Sequence, residues 1–360
     1  MSAIDLGPAS FDSLAGFEAD DALAAFQTFR VTARAILENA APLRAALPCS
    51  EGMHEAARAA LAQEPSDAAA ARRFFTTHFH PFTIGRGFLT GYYEPCVRGS
   101  LAPTADFTAP ILARPDDLVS FAAGEGPEEF DPALAGAQHL SDGGLAPYPD
   151  RAAIEAASAN PLLWLADPVE VFLIQVQGSA RVELNDGRLV RLVYDGRNGH
   201  PYTSIGRILI ESGEIPEAEM SLARLKAWLR ANGLEPGERA RELMRRNRSY
   251  IFFRVEEVFA PGAGPIGGAG VPLTPLRSIA VDRTLWSYGL PFWISADLPW
   301  RGDSPEPFGR MMIAQDTGSA ILGAARADLY FGGGDAAGTR AGAIRHPADF
   351  TVLLPRDAAR

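Results

Sequence analysis

The stretch RMMIAQDTGSAILGAARADLYFGGGDAAGTRAG, residues 310–342, decides the reading of the fold. Two short apolar runs, RMMIAQD and ADLYFG, have the length of buried strands rather than helices. Ser319–Ala325 between them is predicted to form a short helix whose N-terminus lies near Asp316. Glycines 332–334 allow close backbone approach. Working outward, YIFFRVEEVF from Tyr250, then RSIAVD, PFWISADLP and FTVLLP, read as further β segments. Upstream lie helices from about Ser204 to Glu211, from Ser221 to Gly233 and over about Glu238–Arg246, with capping serines and terminal glycines. Before these, 167–196 (DPVEVFLIQVQGSARVELNDGRLVRLVYDG) is the clearest β region, with turns at Asp186-Gly187 and Asp195-Gly196. Residues 100–160 are rich in Pro, Gly and Asp, and TIGRGFLTGYYEPCVRG (83–99) reads as strand and turn. Residues 11 to about 80 read as helices packed on a later sheet, with Leu23, Phe26, Phe29, Ala33, Ile36 and Leu37 at helical spacing. The β segments bracket a middle section with its own strands and helices. The economical reading is a β-barrel-like domain built from both chain ends, with a second domain inserted.

Composition narrows the function. The chain has 360 residues, which suggests two domains at about 150 residues each. Lys+Arg is 33 against Asp+Glu 44, a net charge of -11, and positive charge clusters only in short stretches such as Arg241 to Arg248, so no nucleic-acid role is expected. Lys226 is the only lysine and no Gly-Lys phosphate loop exists. No apolar run approaches the ~18 residues of a membrane span. The start, MSAIDLGPASFDSLAGF, reads as acidic and without a signal peptide. Cys49 and Cys96 leave the redox compartment open.

Several motifs are weighed against structural readings. Gly262-Ala-Gly264-Pro-Ile-Gly267 matches GxGxxG, but no helical pattern follows, so a loop is expected. The histidines show no zinc spacing, and neither metal nor cofactor is expected. Asp316-Thr317-Gly318-Ser319 resembles the aspartic-protease triplet, yet the second triplet which that chemistry needs is absent. Asp316 and Asp328 together make a pair of carboxylates whose pKa values can diverge, leaving one protonated as a general acid for glycosidic cleavage. The structural alternative, a helix-capping Asp316 and a solvated Asp328, stays open on these residues alone. Polar groups elsewhere suit a sugar ligand: Tyr92, Tyr93 and Glu94; Gln175 and Gln177 on one face of a strand, followed by Gly178 and Ser179; and Asn198, Tyr202, Ser204 and Arg207 in DGRNGHPYTSIGR.

At these residues the chain resembles the membrane-bound lytic murein transglycosylase A family, glycoside hydrolase family 102 with a C-terminal 3D domain. The matching blocks, in order over roughly 85–355, are LTGYYEP (89–95), IQVQGSARVEL (174–184), YDGRNGHPYTSIGRILIESGEI (194–215), NRSYIFF (247–253), VPLTPLRSIAVDR (271–283) and the block 314–342. The resemblance implies a mainly β, α+β protein. Residues 1–97 and 247–360 would form a double-psi β-barrel with N-terminal helices. Residues 98–246 would form the inserted β domain, with a glycan groove between the two. It implies cleavage of the β-1,4 bond between N-acetylmuramic acid and N-acetylglucosamine, leaving 1,6-anhydromuramoyl ends. Asp328, in the block Ala327-Asp328-Leu329-Tyr330-Phe331-Gly332, takes the general acid/base role, and Asp316 a supporting one. Asp282 joins the substrate-binding residues. Ser319 stands where a glycine is common in the family, and Glu94 where some members carry Thr. A periplasmic, outer-membrane-associated monomer is expected, with a peptidoglycan glycan strand as partner and cell-wall synthesis or division proteins as further ones. The alternative is a non-catalytic cell-wall-binding barrel.

Overall fold

The β segment from residue 79 onward closes on the late β segments of the chain. The computed structural model describes residues 4–121, 124–257 and 262–356. Met1–Ala3 of the acidic start, and Val258 and Phe259 of the YIFFRVEEVF segment, lie outside them. The chain forms two units, one from Met1–Tyr93 with Pro261–Arg360, the other from Glu94–Ala260.

The first unit begins with a two-residue strand β1 (Gly7–Pro8) and helices α1 (Ala22–Leu37), α2 (Glu51–Leu61) and α3 (Ala68–His78). Each helix starts at a side-chain cap: Asp21, Ser50 and Asp67 accept from backbone N–H groups three residues on. Phe26, Phe29, Phe74, Phe75 and Phe79 pack ring on ring between α1 and α3, with centroids 4.9–6.5 Å apart. The long strand β2 (Phe79–Glu94) then runs into the second unit.

The second unit holds strands β3 (Cys96–Ser100), β4 (Ala109–Leu112), β5 (Leu118–Ser120), β6 (Gly136–His139), β7 (Leu145–Pro147), β8 (Pro161–Leu165), β9 (Ser179–Leu184), β10 (Leu189–Arg197) and β11 (Ile251–Glu256). Its helices are α4 (Arg151–Ala157), α5 (Pro168–Gln177), α6 (Ile205–Glu211), α7 (Leu222–Ala231) and α8 (Arg239–Arg245). A six-stranded sheet runs β11-β10-β9-β3-β8-β4, and a bridge between Ala113 and Phe253 joins its edges. The sheet buries Ile111, Leu163, Val182, Leu192 and Phe253 against α5. Two sequence expectations are corrected here. Residues 168–177 are a helix, not a strand: Asp167 caps it, Pro168 starts it and Gly178 ends it at φ 84°. Its apolar run is buried nearly all round, so no helical period was visible. Strand β11 pairs with β10 over Ile251–Glu256, so this strand belongs to the inserted unit and not to the barrel of 247–360. A β pattern alone does not say which sheet a strand joins.

The chain returns to the first unit with β12 (Ser278–Val281), β13 (Pro291–Leu298), β14 (Glu306–Asp316), β15 (Arg326–Gly333), α9 (Asp335–Gly342) and β16 (Arg345–Pro355). The ladder runs β2-β15-β12-β14-β13-β16 and returns to β2, a closed six-stranded barrel with β1 on its rim. The β12–β14 pair is parallel, which requires a crossover that a simple meander lacks. The protein is α+β. The expected helix at 319–325 is replaced by turns, with Gly323 at φ 107°. Residues 335–342 form a helix that the sequence reading lacked.

Candidate active site

Strand alternation builds the site. On β15, Ala327 and Leu329 are buried in the barrel, which turns Arg326, Asp328 and Tyr330 to the other face. On β2, Leu89 is fully buried, and Phe88, Thr90 and Tyr92 take the opposite face. Asp328 lies opposite Ala280 of β12 in the antiparallel ladder. Asp316 lies opposite the same Ala280 in the parallel ladder on the other side. The β12–β14 register shifts by one residue between Ile279 and Ala280, so Asp316 rather than Gln315 meets Ala280. Gln315 is instead fully buried, donating to Thr28 O (3.1 Å) and Thr32 Oγ1 (2.6 Å) of α1.

The two carboxylates differ in company. Thr90 Oγ1 donates to Asp328 Oδ1 at 2.8 Å, and Arg326 Nη2 donates to Thr90 Oγ1 at 2.8 Å. Burial pushes Asp328 up to about 6 and the charge of Asp316 adds to this, while Arg326 and the Thr90 bond pull it down. Asp316 accepts from Tyr92 Oη (2.8 Å) and from the backbone N–H of Gly268 (2.7 Å). Burial raises Asp316 as well, opposed by the guanidinium of Arg44 and by the backbone bonds. Arg44 comes from the segment after α1, where it donates to Thr317 O at 3.1 Å. A carboxyl that keeps its proton up to about pH 6 beside a second carboxyl is suited to giving and then taking a proton.

The GxGxxG stretch is a loop, with no helix after it, and it packs on Asp316. A Cβ on Gly267 would come 2.6 Å from Gln315 O, and one on Gly268 would come 2.5 Å from Tyr288 Oη. The remaining first-unit residues are held within the fold. Tyr93 lies against Gly338 of α9. Asp282 accepts from Thr284 N (3.0 Å), Thr284 Oγ1 (2.6 Å) and Gly323 N (2.8 Å), bracing the loop between the aspartates.

The other predicted residues fall in the second unit. Glu94 is fully buried, with one oxygen 2.7 Å from Arg181 Nε and the other 2.7 Å from Arg191 Nε. Gln175 sits on α5, accepting from Arg151 Nη1 at 2.6 Å and donating to Ile251 O at 3.2 Å. Gln177 ends that helix, Gly178 is its cap and Ser179 opens β9. Asn198 clamps three backbone groups, of Pro149, Arg248 and Tyr250. Ser204 caps α6, and Arg207 pairs with Glu211 at 2.7 Å on the surface. Tyr202 is half-buried, and burial raises its hydroxyl. Among the described residues no cluster of three or more His, Cys, Asp or Glu is arranged to hold a metal.

Sequence reasoning missed Phe88, Thr90, Arg326, Arg44 and Gly268. Thr90 and Phe88 lie two and four residues before Tyr92, and Arg326 two before Asp328, so period two held a signal for them. Nothing local marks Arg44 or Gly268.

Comparison with known proteins places these features in context. The MltA specific insert domain model matches residues 88–254 and the 3D domain model matches 277–354. Membrane-bound lytic murein transglycosylase A of Vibrio cholerae is 32% identical over 269 residues, 73% of this chain and 64% of the relative. The Escherichia coli K12 protein of the same name matches equally, so the chain spans just under two thirds of the length of these curated relatives. A membrane-bound lytic murein transglycosylase structure from Agrobacterium tumefaciens is 36% identical, covers 99% of both chains and superposes with a TM-score of 0.88. MltA from Neisseria gonorrhoeae is 29% identical, covers 97% of this chain and 91% of that one, and superposes at 0.73.

Proposed function

The chain belongs to the family of membrane-bound lytic murein transglycosylase A, and on that premise we propose that it cleaves peptidoglycan glycan strands by transglycosylation. The supporting observation is the placement of Asp316 and Asp328 on either side of Ala280, with burial pushing Asp328 up to about 6. Protonated Asp328 gives its proton to the glycosidic oxygen as the muramoyl C1–O bond breaks. The muramoyl C6 hydroxyl attacks C1, and the Asp328 carboxylate takes the hydroxyl proton. The product is a 1,6-anhydromuramoyl end, and Asp328 returns to its starting state without consuming water. No nucleophilic carboxylate is required, because the attacking hydroxyl is already tethered to the reacting ring. Asp316 keeps a negative charge near Asp328, which raises the acid and favours the positive charge developing at C1. Tyr92 and Gly268 orient it.

The glycan strand is the proposed partner, which puts the working site in the periplasm. Among the described residues no helix is long and apolar enough to cross a membrane. The test is mass spectrometry of purified murein sacculi digested by the protein and by Asp328→Asn. Muropeptides lighter by one water than hydrolytic products, absent with the variant, are the expected result. Reducing ends would indicate a hydrolase. Sedimentation with sacculi and no soluble product would indicate a binding protein.

A further inference from the structure

We infer that Arg326 is a positioning residue which, through Thr90, dictates that Asp328 carries its catalytic proton on Oδ2. The inference rests on the assignment of Asp328 as general acid. A hydroxyl has one hydrogen to donate and lone pairs to accept. Arg326 Nη2 is a donor only, so at 2.8 Å Thr90 Oγ1 must accept from it. The single Thr90 hydrogen is then free to point to Asp328 Oδ1, also 2.8 Å away. An Oδ1 that accepts from Thr90 is the poorer place for a proton, because a proton there would take the second lone pair of Thr90 Oγ1 and turn its single hydrogen away from the carboxyl. The acid therefore keeps its hydrogen on Oδ2. When Asp328 ionises, the same bond stays in place, so neither oxygen has to reorganise between the acid and the base step.

Arg326 is itself held. Its second terminal nitrogen bonds to Ala327 O, and its guanidinium carbon lies 5.8 Å from the centre of the exposed Phe88 ring. Arg326, Thr90 and Phe88 therefore form one row beside the acid. The other titratable groups facing Asp328 are Asp316 from β14 and Tyr92 from β2, with Arg44 and Tyr288 behind Asp316.

The experiment compares Arg326→Gln, Thr90→Val, Thr90→Ser, the Gln/Val double variant and Asp328→Asn. The readouts are kcat, KM and the pH profile of anhydromuropeptide release from sacculi. Thr90→Val keeps the side-chain shape and removes only the hydroxyl, so it separates orientation from folding. Expected are a loss of about tenfold or more in kcat for Arg326→Gln and Thr90→Val, with KM little changed. The alkaline limb should move to higher pH in both, because each removes a group that pulls Asp328 down. Thr90→Ser should retain activity, and the double variant should be no worse than either single change. Additive losses, an unmoved limb, or equal activity of Thr90→Val and Thr90→Ser would overturn the inference. Activity surviving in Asp328→Asn would instead overturn the assignment of the acid.

Discussion

Asp20 and Arg277 form a buried two-pronged ion pair, with both Nη–Oδ distances 2.8 Å, across 257 residues of sequence. Arg277 precedes β12, and its Nη1 also donates to Met311 O. Asp20 accepts in turn from Met311 N at 3.0 Å. The pair ties the segment ahead of α1 to the start of β12 and to β14, the strand that ends at Asp316. Its removal is expected to reach the site through the fold and not through chemistry.

Asp20→Ala leaves a buried guanidinium uncompensated. A loss of about 3–5 kcal/mol in unfolding free energy is expected, read from urea unfolding midpoints. A change below about 1 kcal/mol would show that solvent reaches Arg277.

Asp328 makes stability depend on pH with a definite sign. Its folded value, about 6, lies above the ordinary carboxyl value, so ionising it costs stability as pH rises through that interval. Asp328→Asn should therefore be more stable than the parent at pH 7.5, by on the order of 1–2 kcal/mol, with the advantage gone by about pH 4. Activity of the parent should fall as pH rises through about 6, since the acid loses its proton.

Arg44 opposes the burial that raises Asp316. Arg44→Gln should let Asp316 rise further, so the acid limb of the activity profile moves to higher pH. Arg44→Lys should restore part of the shift. Identical profiles for all three proteins would remove Arg44 from the site.

Gly268 is in contact with Tyr288 and donates its N–H to Asp316. Gly268→Ala forces the loop away, because the added methyl would sit 2.5 Å from the Tyr288 hydroxyl. The expected result is a large fall in kcat with melting temperature little changed. Full activity would mean that the loop moves without disturbing Asp316.

Glu94 lies between Arg181 and Arg191 inside the second unit. Glu94→Ala should destabilise the protein by about 3–5 kcal/mol, because it removes the buried carboxylate that the two guanidinium groups share. A raised KM with unchanged stability would instead assign Glu94 to substrate.

Much of this architecture is written locally. The short apolar runs within 306–316, 326–333 and 345–355 mark buried strands, and in 326–329 alternation sets Ala327 and Leu329 against Arg326 and Asp328, because a strand turns successive residues to opposite faces. The capping residues Asp21, Ser50, Ser204 and Ser221 mark helix starts, because the first turn has unpaired N–H groups to satisfy. Asp316 and Asp328 were legible as a pair from their own block. Other features belong to the tertiary structure. The one-residue shift beside Ala280 sets Asp316 against it, and ladder register depends on the partner strand. The helix 168–177 shows no clear helical period, since its apolar residues from Val171 to Ile174 run consecutively and are all buried. Arg44, Gly268 and the Arg326–Thr90 bond come from distant segments, and no local pattern records which of them meet. The raised carboxyl of Asp328 follows from desolvation, which the surrounding chain imposes only after the barrel has closed.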